Sequence, residues 1–504
     1  MRTLLGIDIG TQGTKAALYS ETGLCLASAF QKSELHRPRP GVVEEDPERQ
    51  LEAVCATLRR CVRQARINPR AVAGIGIDGQ MAGILGVGRD GRHVTPYDSW
   101  LDTRCAPYIE QMARAAGEEI IRKTGGPPSF NHGPKILWWK HEHPRRFKAI
   151  RAFVQPGAYA AMRLCGLGVE AAFVDRSYLH FSGFADALRG GWDADLCRAF
   201  GVPAEKLPRI VPSHEVVGEL TSEMARRCGL RAGVPVVAGC GDTAASFLAC
   251  GATREGICVD VAGTASVFAA TTRTFRADVR HRTLCCGRAA TPGLWHPYAY
   301  INGGGLNLEW FRTQVVSVGR SQGKTADLAE LDRKAASLAL DADAPLFVPH
   351  LGGRVSPGWP RLRGAWVGLN WSQAAPDLYR AMLEGVALEY RVYQHVLRQL
   401  YPRLRLAELR VTGGGEKSAL WNRIKADVLQ LPIVRIARPE GAPLGAALLA
   451  GYGVGVLKDL DVSARRWIAT GRVTHPKRAL AEHGRARFQR YQRLLEILNS
   501  WSER

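Results

Sequence analysis

The sequence predicts an α/β protein built as two duplicated domains with a cleft between them. Apolar strand-like runs alternate with helical periods along the chain. The opening stretch LLGIDIGTQGTK and the mid-chain stretch GICVDVAGTASVFAAT repeat one strand–turn–strand pattern. At 504 residues the chain exceeds what one core usually supports, so two domains of about 250 residues are expected.

The first strand ends at Gly10, and Lys15 to Tyr19 return as the second arm of a β-hairpin, with glycine where the turn is crowded. Asp8 interrupts the apolar run of that strand. A buried carboxylate without a cation or strong donors is costly, so Asp8 must face something that compensates it. From Asp46 the stretch DPERQLEAVCATLRRCVRQAR reads as a helix: Asp46 caps it, Pro47 suits its first turn, and Leu51, Val54, Cys55, Leu58 and Val62 share a face. AVAGIGIDG follows as another buried strand. In residues 256–271, Asp260, Gly263 and Thr264 take the places of Asp8 and its turn, so a second domain begins near 246–255, dividing the chain into 1–246 and 247–504.

Successive backbone N–H groups in a glycine-rich turn point into a concavity that suits phosphate, and the hydroxyls of Thr11, Thr14, Thr264 and Ser266 add donors. Either turn alone also fits an ordinary hairpin; the repetition favours phosphate. Gly303–Gly305 and Gly413–Gly415 each stand between a strand and a helix, where a ligand can approach the backbone and an anion is favoured. Neither matches the P-loop or the spaced dinucleotide motif. In VPVVAGCGDTAASFLACG, residues 234–251, Asp242 opens a helix of small residues, either as a plain N-cap or as a base for a substrate hydroxyl.

Composition excludes several classes. With 46% hydrophobic and 23% charged residues the chain reads as soluble and globular, and neither a secretory signal nor an apolar run of about 18 residues is apparent, so no membrane partner is expected. The twelve cysteines show no CxxC pair, which fits reduced thiols and a cytoplasmic location. The formal charge of +21 is spread along the chain without interleaved aromatics, so anionic small molecules are a better match than nucleic acid.

These residues resemble the FGGY family of carbohydrate kinases, within the actin-like ATPase (ribonuclease H-like) fold group, and most resemble its xylulokinase branch. GIDIGTQGTK resembles the family's first phosphate hairpin, GQMAG at 79–83 its substrate loop, and SWLDTRC its W-x-D-x-R segment at Trp100, Asp102 and Arg104. GPKILWW at 133–139 and GAWVGLNWSQAAPDLYRAMLEG at 364–385 resemble its two signatures, and VTGGGEKSALWNRIKADVLQLPI its adenosine-binding stretch. The resemblance runs in order from residue 3 to about 455.

It implies an ATP-dependent kinase acting on a small sugar, D-xylulose foremost, with another ketose, a polyol or an aldonate as alternatives. Asp242 then matches the catalytic base, and Asp8 the carboxylate that works with Mg²⁺ through water. Gly10, Thr11, Gln12, Thr14, Gly263, Thr264, Gly304, Gly414, Gly415 and Lys417 match the ATP and phosphate site. Gln80, Met81, Ala82 and Thr243 join Asp242 on the sugar side. Ala82 stands where xylulokinases carry histidine, and Thr243 where they carry asparagine; His132 also departs from the first signature. A homodimer is the assembly considered, and a non-catalytic sugar or nucleotide sensor is the rival class.

Plainer roles are assigned to the remaining conspicuous residues. Trp138 and Trp139 are expected in a core and His350 in a structural loop; Lys135 is read as exposed or anion-facing. Asp102 and Arg104 are expected to pair and shape the substrate loop. Phe488, Tyr491, Leu494, Leu495 and Leu498 share the face of a last helix that covers the second domain.

Overall fold

A computed structural model describes residues 2–317, 326–436 and 441–503. In the first half the strands of the main sheet are β1 (Thr3–Ile9), β2 (Gly13–Ser20), β3 (Cys25–Lys32), β4 (Val72–Gly79), β5 (Val216–Glu219) and β6 (Pro235–Gly241). They form one sheet in the order β3-β2-β1-β4-β6-β5. The second half has β7 (Ile257–Ala262), β8 (Ser266–Ala270), β9 (Cys285–Arg288), β10 (Trp295–Ile301), β11 (Glu408–Thr412), β12 (Ile433–Ile436) and β13 (Thr470–Thr474), in the order β9-β10-β8-β7-β11-β12-β13.

Strand directions show the duplication. In each half the first three strands are antiparallel neighbours, the next two run parallel to the first, and an antiparallel strand closes the edge. The second sheet adds β9 outside this shared plan. The short antiparallel arms need turns alone, whereas the parallel strands need long crossovers, which is where the helices and the subdomain insertions sit.

Helix α1 (Pro47–Ala65) starts where the sequence predicts. The Asp46 carboxylate accepts from Glu48 N at 2.9 Å, and Leu51, Val54, Cys55, Leu58 and Val62 are buried against the first sheet. In the second half the long helix α4 (Ala375–Leu400) crosses the sheet, and α7 (Ala481–Ser502) lays Phe488, Tyr491 and Leu495 onto the same core. Between them in the chain come α2 (Asp242–Ala249) and α3 (Gly304–Trp310) before α4, and α5 (Ala419–Leu429) and α6 (Ala442–Gly453) after it.

A third core joins the halves. It combines α2 and α6 with Leu4 and Tyr19 from the first sheet and Ile257, Val259 and Val434 from the second. α6 lies so close to the first sheet that a Cβ on Gly6 would stand 1.8 Å from the Pro443 carbonyl oxygen, and one on Gly76 2.1 Å from that of Ala446. Glycine in these strands is thus the condition for the close approach of two backbones. The division expected between residues 246 and 247 falls inside α2; the chain leaves the first sheet at Gly241 and enters the second at Ile257.

Candidate active site

The parallel strands β1, β4 and β6 end side by side, and each brings a carboxylate to its tip. Register sets Asp8 beside Asp78 and Cys240 beside Asp78, so Asp242 follows two residues later at the start of α2. Gly241 is the residue that caps α2, and Asp242 is its first helical residue rather than the cap itself. The carboxylate is therefore free for other work. Tyr178 ties the arrangement together by donating to the carbonyls of Gly79 and Cys240 at 3.0 and 3.2 Å.

Burial with little compensation governs the electrostatics here. It raises the Asp8 carboxyl to about 6, against the lowering effects of Asp78 and Lys15. Burial and the Asp8 charge push Asp78 well above the carboxylate range, and neither of its carboxyl oxygens has a hydrogen-bond partner among the described residues. Burial and Asp8 raise Asp242 to about 7, while the backbone N–H and the hydroxyl of Thr243 both donate to its Oδ1. That leaves Oδ2 as the basic atom.

The loop at 79–83, expected to meet the sugar, lies on these tips. Gln80 is fully buried, Met81 packs on Gly241, where a Cβ would meet its side chain at 2.7 Å, and Ala82 adopts the left-handed conformation at φ 60°. An alanine held at positive φ is strained, a condition that clusters at ligand sites. Gln80 turns its amide inward: Nε2 donates to Glu45 Oε1 at 2.8 Å, and Oε1 accepts from the Thr11 hydroxyl at 3.3 Å. Thr11 in turn accepts from the half-exposed Trp100 indole at 2.8 Å. The Thr11 proton expected on a phosphate is thus engaged with Gln80. Thr14 is buried within the hairpin, while Gly10 and Gln12 stand at the turn itself.

Arg104 braces the loop from below through Glu44, Asp98 and Asp102 at 2.8–2.9 Å, and Asp98 also accepts from the Trp139 indole. Trp138 and Trp139 lie in a core cluster. Lys135 corrects its sequence reading: it is 2% exposed, and its ammonium donates to the carbonyls of Ser99 and Asp102. A lysine in a signature helix pattern does not reveal that backbone carbonyls converge on it. His132 is buried nearby and pushed down to about 3 by burial, so it is neutral. His350 is likewise buried, beside Glu389 and Arg354.

The glycine clusters of the second half enclose a cavity of about 570 Å³ lined by Gly263, Thr264, Gly305, Gly414, Gly415 and Lys417, together with Leu306, Tyr379 and Ser418. Gly304 lies behind this wall, where a Cβ would strike Ser266 Oγ, and Ser266 is itself buried rather than facing the cavity. Asp260, expected in the place of Asp8, stands one residue out of step with it: Ala262 pairs with Ser266 as Ile9 pairs with Thr14, so Asp260 matches Ile7 on the opposite face, fully buried against the ammonium of Lys425 and the hydroxyl of Tyr390. The sequence reading did not single out Asp78, Glu45 or Lys425. For Asp78 a signal existed, since GIGIDGQ repeats the aspartate-in-strand pattern of GIDIGTQ.

Comparison with known proteins decides the family. The N-terminal domain of the FGGY family of carbohydrate kinases matches residues 3–249, and its C-terminal domain matches residues 258–454. This chain is an FGGY carbohydrate kinase. It is 26% identical to a xylulose kinase of Staphylococcus epidermidis over 485 residues, covering 94% of this chain and 92% of the other. It is 29% identical to a glycerol kinase of Ralstonia nicotianae, covering 97% of each. The crystal structure of xylulose kinase from Rhodospirillum rubrum superposes with a TM-score of 0.91 at 29% identity, covering 100% of both chains. As a member of this family the chain is an ATP-dependent phosphotransferase acting on a small sugar or polyol.

Proposed function

We propose that this FGGY kinase transfers the γ-phosphate of ATP to a hydroxyl of D-xylulose, with Asp242 as the general base. The observation that carries the reading is the Asp242 carboxylate: Thr243 occupies its Oδ1, burial and Asp8 raise its basicity, and the substrate loop packs against the strand before it. A base poised near the working pH combines the required ionised form with appetite for the proton.

In the reaction, Asp242 accepts the proton of the sugar hydroxyl as its oxygen bonds to the γ-phosphorus. The bond from that phosphorus to the β,γ-bridging oxygen breaks, and ADP leaves. The Gly10, Gly13 and Gly263 N–H groups close their own turns, so in this reading the N–H groups of Thr11, Gln12 and Thr264 between them face the phosphates, and Gly414, Gly415 and Lys417 line the nucleotide cavity. Asp8 fits a hydrated magnesium ion, since its buried Oδ1 has no hydrogen-bond partner among the described residues. When bound there, the ion would supply positive charge that offsets the charge of the terminal phosphates. Asp8, and Asp78 behind it, would hold its water shell.

The carboxylates of Asp8 and Asp242 disfavour a second anion beside the sugar, which favours an uncharged ketose such as xylulose, ribulose or erythrulose, or a polyol such as erythritol, over gluconate. Among the described residues no helix is long and apolar enough to cross a membrane. The same reading includes a homodimer in the cytoplasm, which light scattering and cell fractionation check. The deciding experiment is sugar-dependent ADP release across ketopentoses, ketotetroses, polyols and aldonates, with Asp242→Asn alongside. We expect one neutral sugar to drive turnover and the variant to lose about 10²- to 10⁴-fold while still binding ATP. Equal rates for variant and wild type would remove Asp242 from the role of base.

A further inference from the structure

A chain of hydrogen bonds runs from the outer face of the sugar site to the interior and passes through the phosphate turn. The Trp100 indole donates to Thr11 Oγ1 at 2.8 Å, Thr11 donates to Gln80 Oε1 at 3.3 Å, and Gln80 Nε2 donates to Glu45 Oε1 at 2.8 Å. Gln50 Nε2 donates to the other oxygen, Oε2, at 3.1 Å. Every proton in the chain points toward Glu45. Trp100 is 44% exposed at one end, whereas Gln80 and Glu45 are 0% and 3% exposed at the other.

The direction is not accidental. Burial raises the Glu45 carboxyl and the Gln80 and Gln50 donors oppose that; with an amide nitrogen donating to each oxygen, Glu45 acts as acceptor alone and so fixes which end of the Gln80 amide faces it. The amide oxygen then faces Thr11 and draws its single hydroxyl proton inward. A hydroxyl has one proton to give, so while the chain is intact Thr11 Oγ1 offers no donor to a phosphate. The geometry points to Glu45 as a positioning residue that sets the polarity of this chain and couples the sugar face at Trp100 to the phosphate turn at Thr11. The inference rests on the reading of this cleft as a sugar kinase site.

In that arrangement a sugar that displaces the Trp100–Thr11 bond loosens Thr11, which can then turn its hydroxyl to the nucleotide. Without a sugar, the proton stays with Gln80 and the phosphate cradle is one donor short. The protein thereby spends fewer ATP molecules on water.

Glu45→Gln tests this directly, because glutamine keeps the shape and lets the Gln80 amide reverse. The probe is Mg²⁺ with the non-hydrolysable analogue AMPPNP, titrated calorimetrically without any sugar. We expect the variant to bind about 3- to 10-fold more tightly than wild type, the range of one hydrogen bond, because Thr11 becomes free to donate. A merely structural role predicts equal or weaker binding, and that result would overturn the inference. Should Glu45→Gln fail to fold, Trp100→Phe keeps the ring and removes the indole donor. It should reduce the tightening of AMPPNP by the preferred panel sugar at least 5-fold, and an unchanged tightening would count against the coupling. Failure of the whole sugar panel rejects the proposed function instead, and leaves the sugar-free comparison of Glu45→Gln to decide the polarity on its own.

Discussion

The two hairpins that open the two halves share a strand order, yet their aspartates stand one residue out of step, on opposite faces of the strand, and have opposite surroundings. Asp260 is closed off by Lys425 and Tyr390 inside the second core. Asp8 sits among other carboxyls, its Oδ1 without a hydrogen-bond partner among the described residues. The hairpin is shared, but its aspartate is not the same residue in the two halves. One is neutralised in a structural ion pair on the core side, and the other, on the cleft side, keeps an oxygen without a partner among the described residues that the proposed cation would answer.

Breaking the closed copy should have the largest effect. Lys425→Met leaves Asp260 buried without its cation and should destabilise the protein by about 3–5 kcal/mol in chemical denaturation. Adding Asp260→Asn should restore most of that loss, because the pair disappears together. Lys425→Met alone matching wild-type stability would mean that the ion pair is not what closes this hairpin.

Opening the comparison from the other side reverses the sign. Asp8→Asn should abolish phosphoryl transfer yet raise the stability of the ligand-free protein by about 1–3 kcal/mol, the order of a carboxyl shifted from 3.8 to about 6. Calorimetry showing a lower melting temperature would argue that Asp8 is structurally satisfied, like Asp260.

The smallest expected effect is in pH. As the proposed base, Asp242 would work ionised, and its carboxyl is raised to about 7, so kcat/KM should fall about tenfold per pH unit below that value. The stability sign runs the other way: raised carboxyls hold protons more tightly in the folded chain than in the unfolded one. Their contribution therefore declines as pH rises from about 4 to 7. A rate profile flat from pH 5.5 to 8 would detach Asp242 from proton transfer.

Much of the fold was legible because it is written in local pattern. The paired hairpins, the α1 face and the glycine clusters all follow from strand alternation, helical period and turn chemistry within about twenty residues. Asp242 was legible for the same reason, standing where a strand gives way to a helix of small residues. The rest depends on partners far apart in the chain. Lys425 reads as an ordinary helical lysine until the fold sets it against Asp260, and Glu45 as one of three consecutive acids before a helix until Gln80 reaches it. Lys135 was misplaced on the same account, since the carbonyls that hold it belong to a loop more than thirty residues earlier. Local sequence shows which groups are present; long-range contact decides which of them are satisfied.

The seam formed by Gly6 and Gly76 under α6, and by Gly445 of α6 against the Ala245 carbonyl of α2, sets how the molecule can breathe. There main chain rests on main chain, with no side chains between to change rotamer and absorb a shear. Relative sliding of the halves along that line would drive carbonyl oxygens into neighbouring backbone. The soft motion left is a rotation about the seam, small at the back of the molecule and amplified with distance from it, so the mouth of the cleft travels furthest.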